Sequence, residues 1–440
     1  MKGLSRSSWT RRLSDLLPHG TGVVGAGVAL YGLTSYVFLV LAARSLGPAR
    51  YASLSALWAI VYVLGPGFFL PLEQEVNQVL AARRAKGEGA GPLLRRSLVI
   101  AGLIVTALSV IAVAFGRAAL ERVFDGDSLL ILALILALIS YAIQHVVRGA
   151  LAGLPRFGRY AAILSIEGTV RVGACAVIAA AGVSSAGPYG LVIALAPLVA
   201  VLPGWGVARG LATSGSAPAW SELTTSIGYL VLSAVFAQFL AMSEPLIVKI
   251  LSPPGREAAA GRFLASLVIA RIPIFLFQAV QPPLLSRLSG LASAGRLPAF
   301  RASVKRLMMG IGVAGVATIL VALVMGPWVV TTLFGQGFDL GRTNLVYLAG
   351  GTSCYLVAVG LAQALIALSL QARVAAAWVV GSAVFVLRSA LGSEIISRVA
   401  QGFLLGSAVA AVIMAAALAA GLRKGAGRPQ DMPGAIAIEP

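Results

Sequence analysis

The stretch Ser45-Leu46-Gly47-Pro48-Ala49-Arg50-Tyr51 decides how the chain divides, because it is a tight turn set between two long apolar runs. Beyond it lies the apolar run Ala52 to Leu72, interrupted by Gly65-Pro66-Gly67 and Pro71. A polar tail, Glu73-Gln74-Glu75-Val76-Asn77-Gln78, then leads into the basic loop Arg83-Arg84-Ala85-Lys86, and Arg95-Arg96 opens the next apolar run. About 210 residues later the same order of parts returns. There Gly261-Arg262-Phe263 stands for the turn and its aromatic, and Leu264 to Leu285 is the apolar run, with Pro273, Pro282, Pro283, Gln278 and Gln281 inside it. A basic loop from Arg287 to Arg306 follows. A chain that repeats itself at half its length reads as two related halves.

Of the 440 residues, 59% are hydrophobic and 11% charged, and the mean hydropathy is +0.93. Soluble domains carry about a quarter charged residues, so this is a membrane protein. Apolar runs of roughly 20 residues, enough to cross the bilayer core, recur along the whole chain. Twelve helices are expected, over 20–43, 51–81, 97–116, 128–148, 158–181, 187–207, 223–251, 260–286, 306–334, 343–370, 373–391 and 399–422. The start is basic (Lys2, Arg6, Arg11, Arg12) and shows no cleavable signal peptide.

The net charge of +19 reflects topology rather than nucleic acid, because the basic residues cluster in short loops between apolar runs. With both termini cytoplasmic, about 22 basic residues fall on inside segments and about 9 on outside segments, the bias of the positive-inside rule. The expected domains are a basic cytoplasmic N-tail (1–19), an N-terminal six-helix bundle (20–208), a cytoplasmic linker (209–222), a C-terminal six-helix bundle (223–423) and a disordered cytoplasmic tail (424–440). Six spans per half gives both halves one orientation, related by an axis along the membrane normal. The two cysteines, Cys175 and Cys354, lie in apolar runs and suggest neither a disulfide nor a metal cluster.

Ionisable groups inside spans are costly, about 2.5–3.5 kcal/mol each on insertion scales, so each needs a reason. Glu167, Arg171, Glu244, Lys249 and Arg271 are the deeper ones; Glu73, Glu75, His145 and Arg148 lie nearer the inner helix ends. Glu167 and Arg171 are four residues apart and can pair on one helix face, either as a self-neutralising pair or in an aqueous cavity. Arg271 shares a helical face with Phe275, Gln278 and Pro282. Its planar, permanently charged guanidinium suits bidentate phosphate binding, and the rival reading makes it an interhelix partner of Glu244. Tyr141, His145 and Arg148 share another face, where His145 is either a hydrogen-bonded structural group or a proton relay. Glu73 shares a face with Asn77, and is either a gate or coupling-ion group or a solvated interfacial acid. Gly65-Pro66-Gly67 and Pro273 are expected bend points. No Gly-rich phosphate loop, nucleophile elbow, metal-ligand cluster or Walker motif is present, so neither an enzyme nor a cofactor is expected.

The stretch RSLGPARYASLSALWAIVYVLGPGFFLPLEQEVNQVLAARR (Arg44 to Arg84) resembles the start of the polysaccharide-exporting, Wzx-like flippases. These are a branch of the multidrug/oligosaccharidyl-lipid/polysaccharide (MOP) exporter superfamily. SEPLIVKIL (Ser243 to Leu251) and AGRFLASLVIARIPIFLFQAVQPPLLSRLS (Ala260 to Ser289) resemble the matching second-half signature. The resemblance implies an all-α polytopic protein of two pseudo-symmetric six-helix bundles around a central cavity that opens alternately to each side. It implies a polyprenyl-diphosphate-linked oligosaccharide as cargo, with Arg271, Arg171 and Lys249 receiving it. Gln278, on the face of Arg271, is a further substrate-binding candidate, and the bilayer and glycan-synthesis proteins are the expected partners. Glu73, Glu167, Glu244 and His145 are the candidates for coupling or gating. The chain departs from peptidoglycan-precursor flippases in lacking a cationic cluster in its first span and having fewer spans, which argues against that cargo. Two rivals remain: a cation-coupled multidrug exporter, with Glu73 or Glu244 binding Na⁺ or H⁺, and a non-transporting scaffold for a glycan synthase.

Overall fold

The computed structural model describes residues 21–85, 91–210, 227–253, 255–256 and 258–423. The expected N-tail and C-tail, and the linker beyond Gly210, lie outside the described residues. The protein is all-α. A helical run, Thr21–Ala85, is kinked at Gly47 into α1 (21–46) and α2 (48–85). Then follow α3 (Gly91–Ala114), the short α4 (Gly116–Arg122), α5 (Ser128–Gly153), α6 (Phe157–Ala180) and α7 (Ala186–Gly210). The second half contains α8 (Ile227–Met242), α9 (Glu244–Leu251), α10 (Ala258–Ala270), α11 (Ile272–Ser293), α12 (Leu297–Phe334), α13 (Arg342–Ala367), α14 (Gln371–Ala390) and α15 (Ile395–Arg423). Taking α8 with α9, and α10 with α11, as bent spans and leaving out α4, the described residues form twelve membrane crossings.

The turn at the start is tighter than the sequence suggests. Only Gly47 leaves helical geometry (φ 69, ψ 168), a left-handed conformation that glycine adopts without a Cβ penalty. Pro48 follows as the first residue of α2, where its missing N–H is not needed. The corresponding Gly261-Arg262-Phe263 is not a turn but lies within α10. Gly261 is needed there for close approach, since a Cβ on it would lie 3.2 Å from Ala52 N and closer still to Pro48 O. That contact also shows that α2 and α10 start at the same end of the molecule, called here the Gly47 end.

Two expected single spans are broken instead. Ser243 separates α8 from α9 with a 60° bend, because Pro245 in the first turn of α9 supplies no N–H to continue the ladder. Arg271 separates α10 from α11, with Pro273 in the first turn of α11. The expected bend at Gly65-Pro66-Gly67 is not a break, as no residue of α2 leaves helical φ/ψ; a Cβ on Gly65 would meet the Tyr141 ring at 3.4 Å. The basic segment from Arg287 to Arg306 is mostly helix rather than loop. The end of α11 and the start of α12 flank a turn closed at Gly295 (φ 65). Arg, Lys, Ala and Leu are good helix formers, so charge marked the interface and not the loss of helix.

Two large apolar cores form, each drawn mainly from one half, and the first reaches across to Leu264, Val268 and Phe334 of the second half. One is built on Phe38, Tyr51, Phe69, Leu134 and Tyr189, the other on Phe263, Phe300, Leu348, Phe385 and Phe403. The third span of each half, α3 and α12, is the least buried, whereas the fourth, α5 and α13, is mostly buried. Leu103, Val110, Val313 and Val324 are among the exposed apolar residues of the third spans, as helices facing lipid require. The halves touch mainly through α1 and α2 on one side and α8 to α12 on the other.

Candidate functional site

The first half encloses a polar network on four helices. On α6, Arg171 and Glu167 are paired across one turn, with side chains 0% and 1% exposed. Arg171 Nη1 also donates to Ser35 Oγ on α1 (3.1 Å) and to the Tyr62 hydroxyl on α2 (3.0 Å). The guanidinium carbon lies 5.3 Å from the Tyr31 ring centroid and 5.7 Å from that of Trp58, within cation–π range. Glu167 accepts from the Tyr141 hydroxyl (3.2 Å) and from Gln144 Nε2 (2.7 Å), both on α5. Three of the site's buried atoms, Gln144 Oε1, Arg148 Nε and Arg171 Nε, have no hydrogen-bond partner.

One turn further along α5 the network continues. His145 Nδ1 lies 2.6 Å from Glu73 Oε2, and its ring stands 6.1 Å from that of Tyr141. The other carboxylate oxygen of Glu73 accepts from the Tyr160 hydroxyl at 2.8 Å and lies 3.3 Å from Arg148 Nη2. Arg148 Nη2 donates in turn to Tyr160 (2.6 Å). Glu73 and Glu75 are 5% and 7% exposed, so both acids are buried rather than solvated at the interface. The helix-face alignment of Tyr141, His145 and Arg148 holds.

The second half carries one comparable pair. Arg271, at the break between α10 and α11, donates from Nη2 to both carboxylate oxygens of Glu244, at 2.7 and 3.0 Å. Its Nη1 faces Met242 Sδ at 3.0 Å, its guanidinium lies over Phe403, and its Nε has no partner. Because the helix is broken at Arg271 itself, the face shared with Gln278 is not a continuous stripe; the Gln278 side chain lies outside the described residues. Lys249 on α9 pairs with Asp125, its Nζ 2.7 and 2.6 Å from the two carboxylate oxygens.

The three cations expected to bind cargo therefore stand in three separate places, each neutralised by an acid. Of the acids, Asp125 escaped the sequence reading because only the fold brings its loop to Lys249. Gln144 and Tyr160 were within reach, since 141–144–145–148 and 160–167–171 are helical repeats of one face. A cavity of about 310 Å³ opens between α6 and α7. Val170, Ala174, Ile178, Leu191 and Val199 help to line it, and no ionisable group does. Among the described residues no group of His, Cys, Asp and Glu is placed to hold a metal ion.

This is a multi-pass membrane protein with the fold of the MATE transporters of the MOP superfamily. It aligns over 92% of its length with 96% of an inward-facing multidrug-resistance MATE transporter, at TM-score 0.68 and 14% identity. It covers 98% of the eukaryotic MATE transporter AtDTX14 at TM-score 0.66 and 15% identity, and 95% of an outward-facing MATE transporter at TM-score 0.62 and 12% identity. By sequence, an uncharacterised protein of Mycobacterium tuberculosis is 26% identical over 406 residues, 90% of each chain. Another, of Mycobacterium bovis, is 25% identical over 380 residues, 83% of this chain and 84% of the relative. No protein-family model matches.

Proposed function

We propose that the chain is a secondary transporter that carries a polyprenyl-diphosphate-linked oligosaccharide across the cytoplasmic membrane by alternating access between its two six-helix halves, without covalent chemistry. The observation that supports movement is that one fold accommodates both an inward-facing and an outward-facing solved structure. Both align with more than nine-tenths of this chain. The halves are the moving bodies, and the bends at Ser243 and Arg271 lie beside their seam.

For the cargo, the supporting observation is Arg271. It is a permanent cation, 5% exposed, with one donor unpartnered and a carboxylate as its present counter-ion. Glu244 is held through Nη2 alone and Nε is unpartnered, so a diphosphate, with more charge and several oxygens for the guanidinium fork, can bind Arg271 alongside the carboxylate. The test measures protein level and exported glycan for Arg271→Ala, Glu244→Gln and the double variant. Arg271→Ala is expected to lower export at least tenfold, and Arg271→Lys to keep part of it. If the double variant recovers export, Arg271 is scaffold and the cargo assignment is wrong.

A second reading, a cation-coupled multidrug exporter, is favoured by the names of the solved structures that share the fold. In it, the Glu73–His145 pair or Glu244 carries the coupling ion. Reconstituted vesicles separate the two: drug movement driven by an ion gradient supports the second, and flipping of a lipid-linked glycan the first.

A further inference from the structure

The halves are fastened together at the Gly47 end by contacts of unequal kind. Arg44 at the end of α1 donates to the carbonyls of Thr332 (2.5 Å) and Leu333 (2.7 Å) at the end of α12. Arg122 on α4 donates to Ile250 O on α9 (3.0 and 3.3 Å). Tyr51 meets Phe338 edge-on at 5.7 Å. Of the ion pairs described above, only Asp125–Lys249 joins one half to the other.

Asp125 lies in the turn between α4 and α5, with φ +50, a conformation uncommon outside glycine and better tolerated by Asp and Asn than by most residues. Its carboxylate takes the Lys249 ammonium on both oxygens, and one oxygen also accepts from Ser53 Oγ on α2 (2.5 Å). Lys249 is 2% exposed and Asp125 39%. That asymmetry matters. The Arg171–Glu167 and Arg271–Glu244 pairs are buried on both sides, so separating either strands a charge in a dry interior. Separating Asp125 from Lys249 moves an already half-wet carboxylate into water, and the same parting of the halves hydrates the lysine. A pair of this kind closes firmly enough to bias a conformation and opens cheaply enough to cycle.

We propose that Asp125–Lys249, seated on Ser53, is a reversible lock that holds the Gly47 end shut, and that the structure described is the state closed at that end. Lys249 then acts on the conformational equilibrium and not on the cargo. This rests on the alternating-access reading.

The test places spin labels on the full-length protein in nanodiscs, at Ser185→Cys in the first half and Thr343→Cys in the second, in a Cys175→Ser/Cys354→Ser background. Both label sites are exposed and lie near the Gly47 end. The unmodified protein should show a dominant short distance and a minor long one. Asp125→Asn and Lys249→Met should each raise the long population by about threefold, the effect of losing a partly exposed ion pair. The exchanged pair, Asp125→Lys with Lys249→Asp, should restore the short distance, which also answers for any single variant that fails to fold. If the long population is present but unmoved by either single variant, the lock is overturned while alternating access stands. If one distance persists in every variant and condition, both are overturned.

Discussion

Arg171 holds its charge in the interior of the first half, wholly buried, with Glu167, Ser35, Tyr62, Tyr31 and Trp58 standing where water would otherwise be. The acid sits one turn before the base, so the local helix supplies the pair. Removing only one partner leaves the other charge uncompensated. Arg171→Met should therefore lower stability by about 3–5 kcal/mol, and Glu167→Gln added to it should recover most of that loss. Thermal unfolding in detergent would read both; an unchanged melting temperature for Arg171→Met would mean that Glu167 finds another cation or takes up a proton. This pair was legible in the sequence because helical spacing alone predicts it. Arg271–Glu244 was legible only as one of two readings, since it depends on how two broken helices meet. Asp125–Lys249 and Glu73–His145 were not legible at all: their partners stand on different elements, and nothing in the local pattern joins them.

Between α1 and α2 a single residue makes the corner. A Cβ on Gly47 would meet nothing within 4 Å, so the space is open and any penalty for a side chain comes from the left-handed backbone alone. Gly47→Ala should destabilise by about 1–2 kcal/mol, whereas Gly65→Ala, in ordinary contact with Tyr141 and with helical geometry, should be nearly neutral or slightly stabilising. Comparing the two melting temperatures tests the difference; equal effects would show that Gly47 is not the conformational corner. Turn and proline signals carried the element count. The break at Arg271 was foreseeable because Pro273 lies two residues on, where a missing N–H acts directly. The helical nature of 297–306 was not, because charge clusters mark the membrane interface equally well in loops and in helices that project beyond it.

For the whole molecule, the order of parts noticed from Ser45 onward has a physical counterpart. The third span of each half is turned to lipid and the fourth is buried among its neighbours, so position within the half, rather than any residue-by-residue likeness, governs how each helix packs. The charge distribution extends this to orientation. The Gly47 end carries Glu121, Asp125, Asp127, Asp339 and Glu394 among its turns and helix ends, while the opposite end carries Arg84, Arg95, Arg156, Arg159, Arg287, Arg301, Lys305 and Arg306. Cytoplasmic loops hold the excess of Lys and Arg, so the Gly47 end should face outward and both termini inward. A cysteine at Ser185, in the exposed turn between α6 and α7, should then react with an impermeant maleimide on intact cells in the Cys175→Ser/Cys354→Ser background. One at Ala294, in the exposed turn between α11 and α12, should react only after the membrane is opened. The reverse pattern would invert the protein and turn the Asp125–Lys249 lock into an inner one. Labelling of both from outside would require an even number of crossings between the two sites and would overturn the span count. With α7, α8–α9 and α10–α11 as the crossings, the count is three, the two sites fall on opposite faces, and only labelling from one side at a time agrees with it.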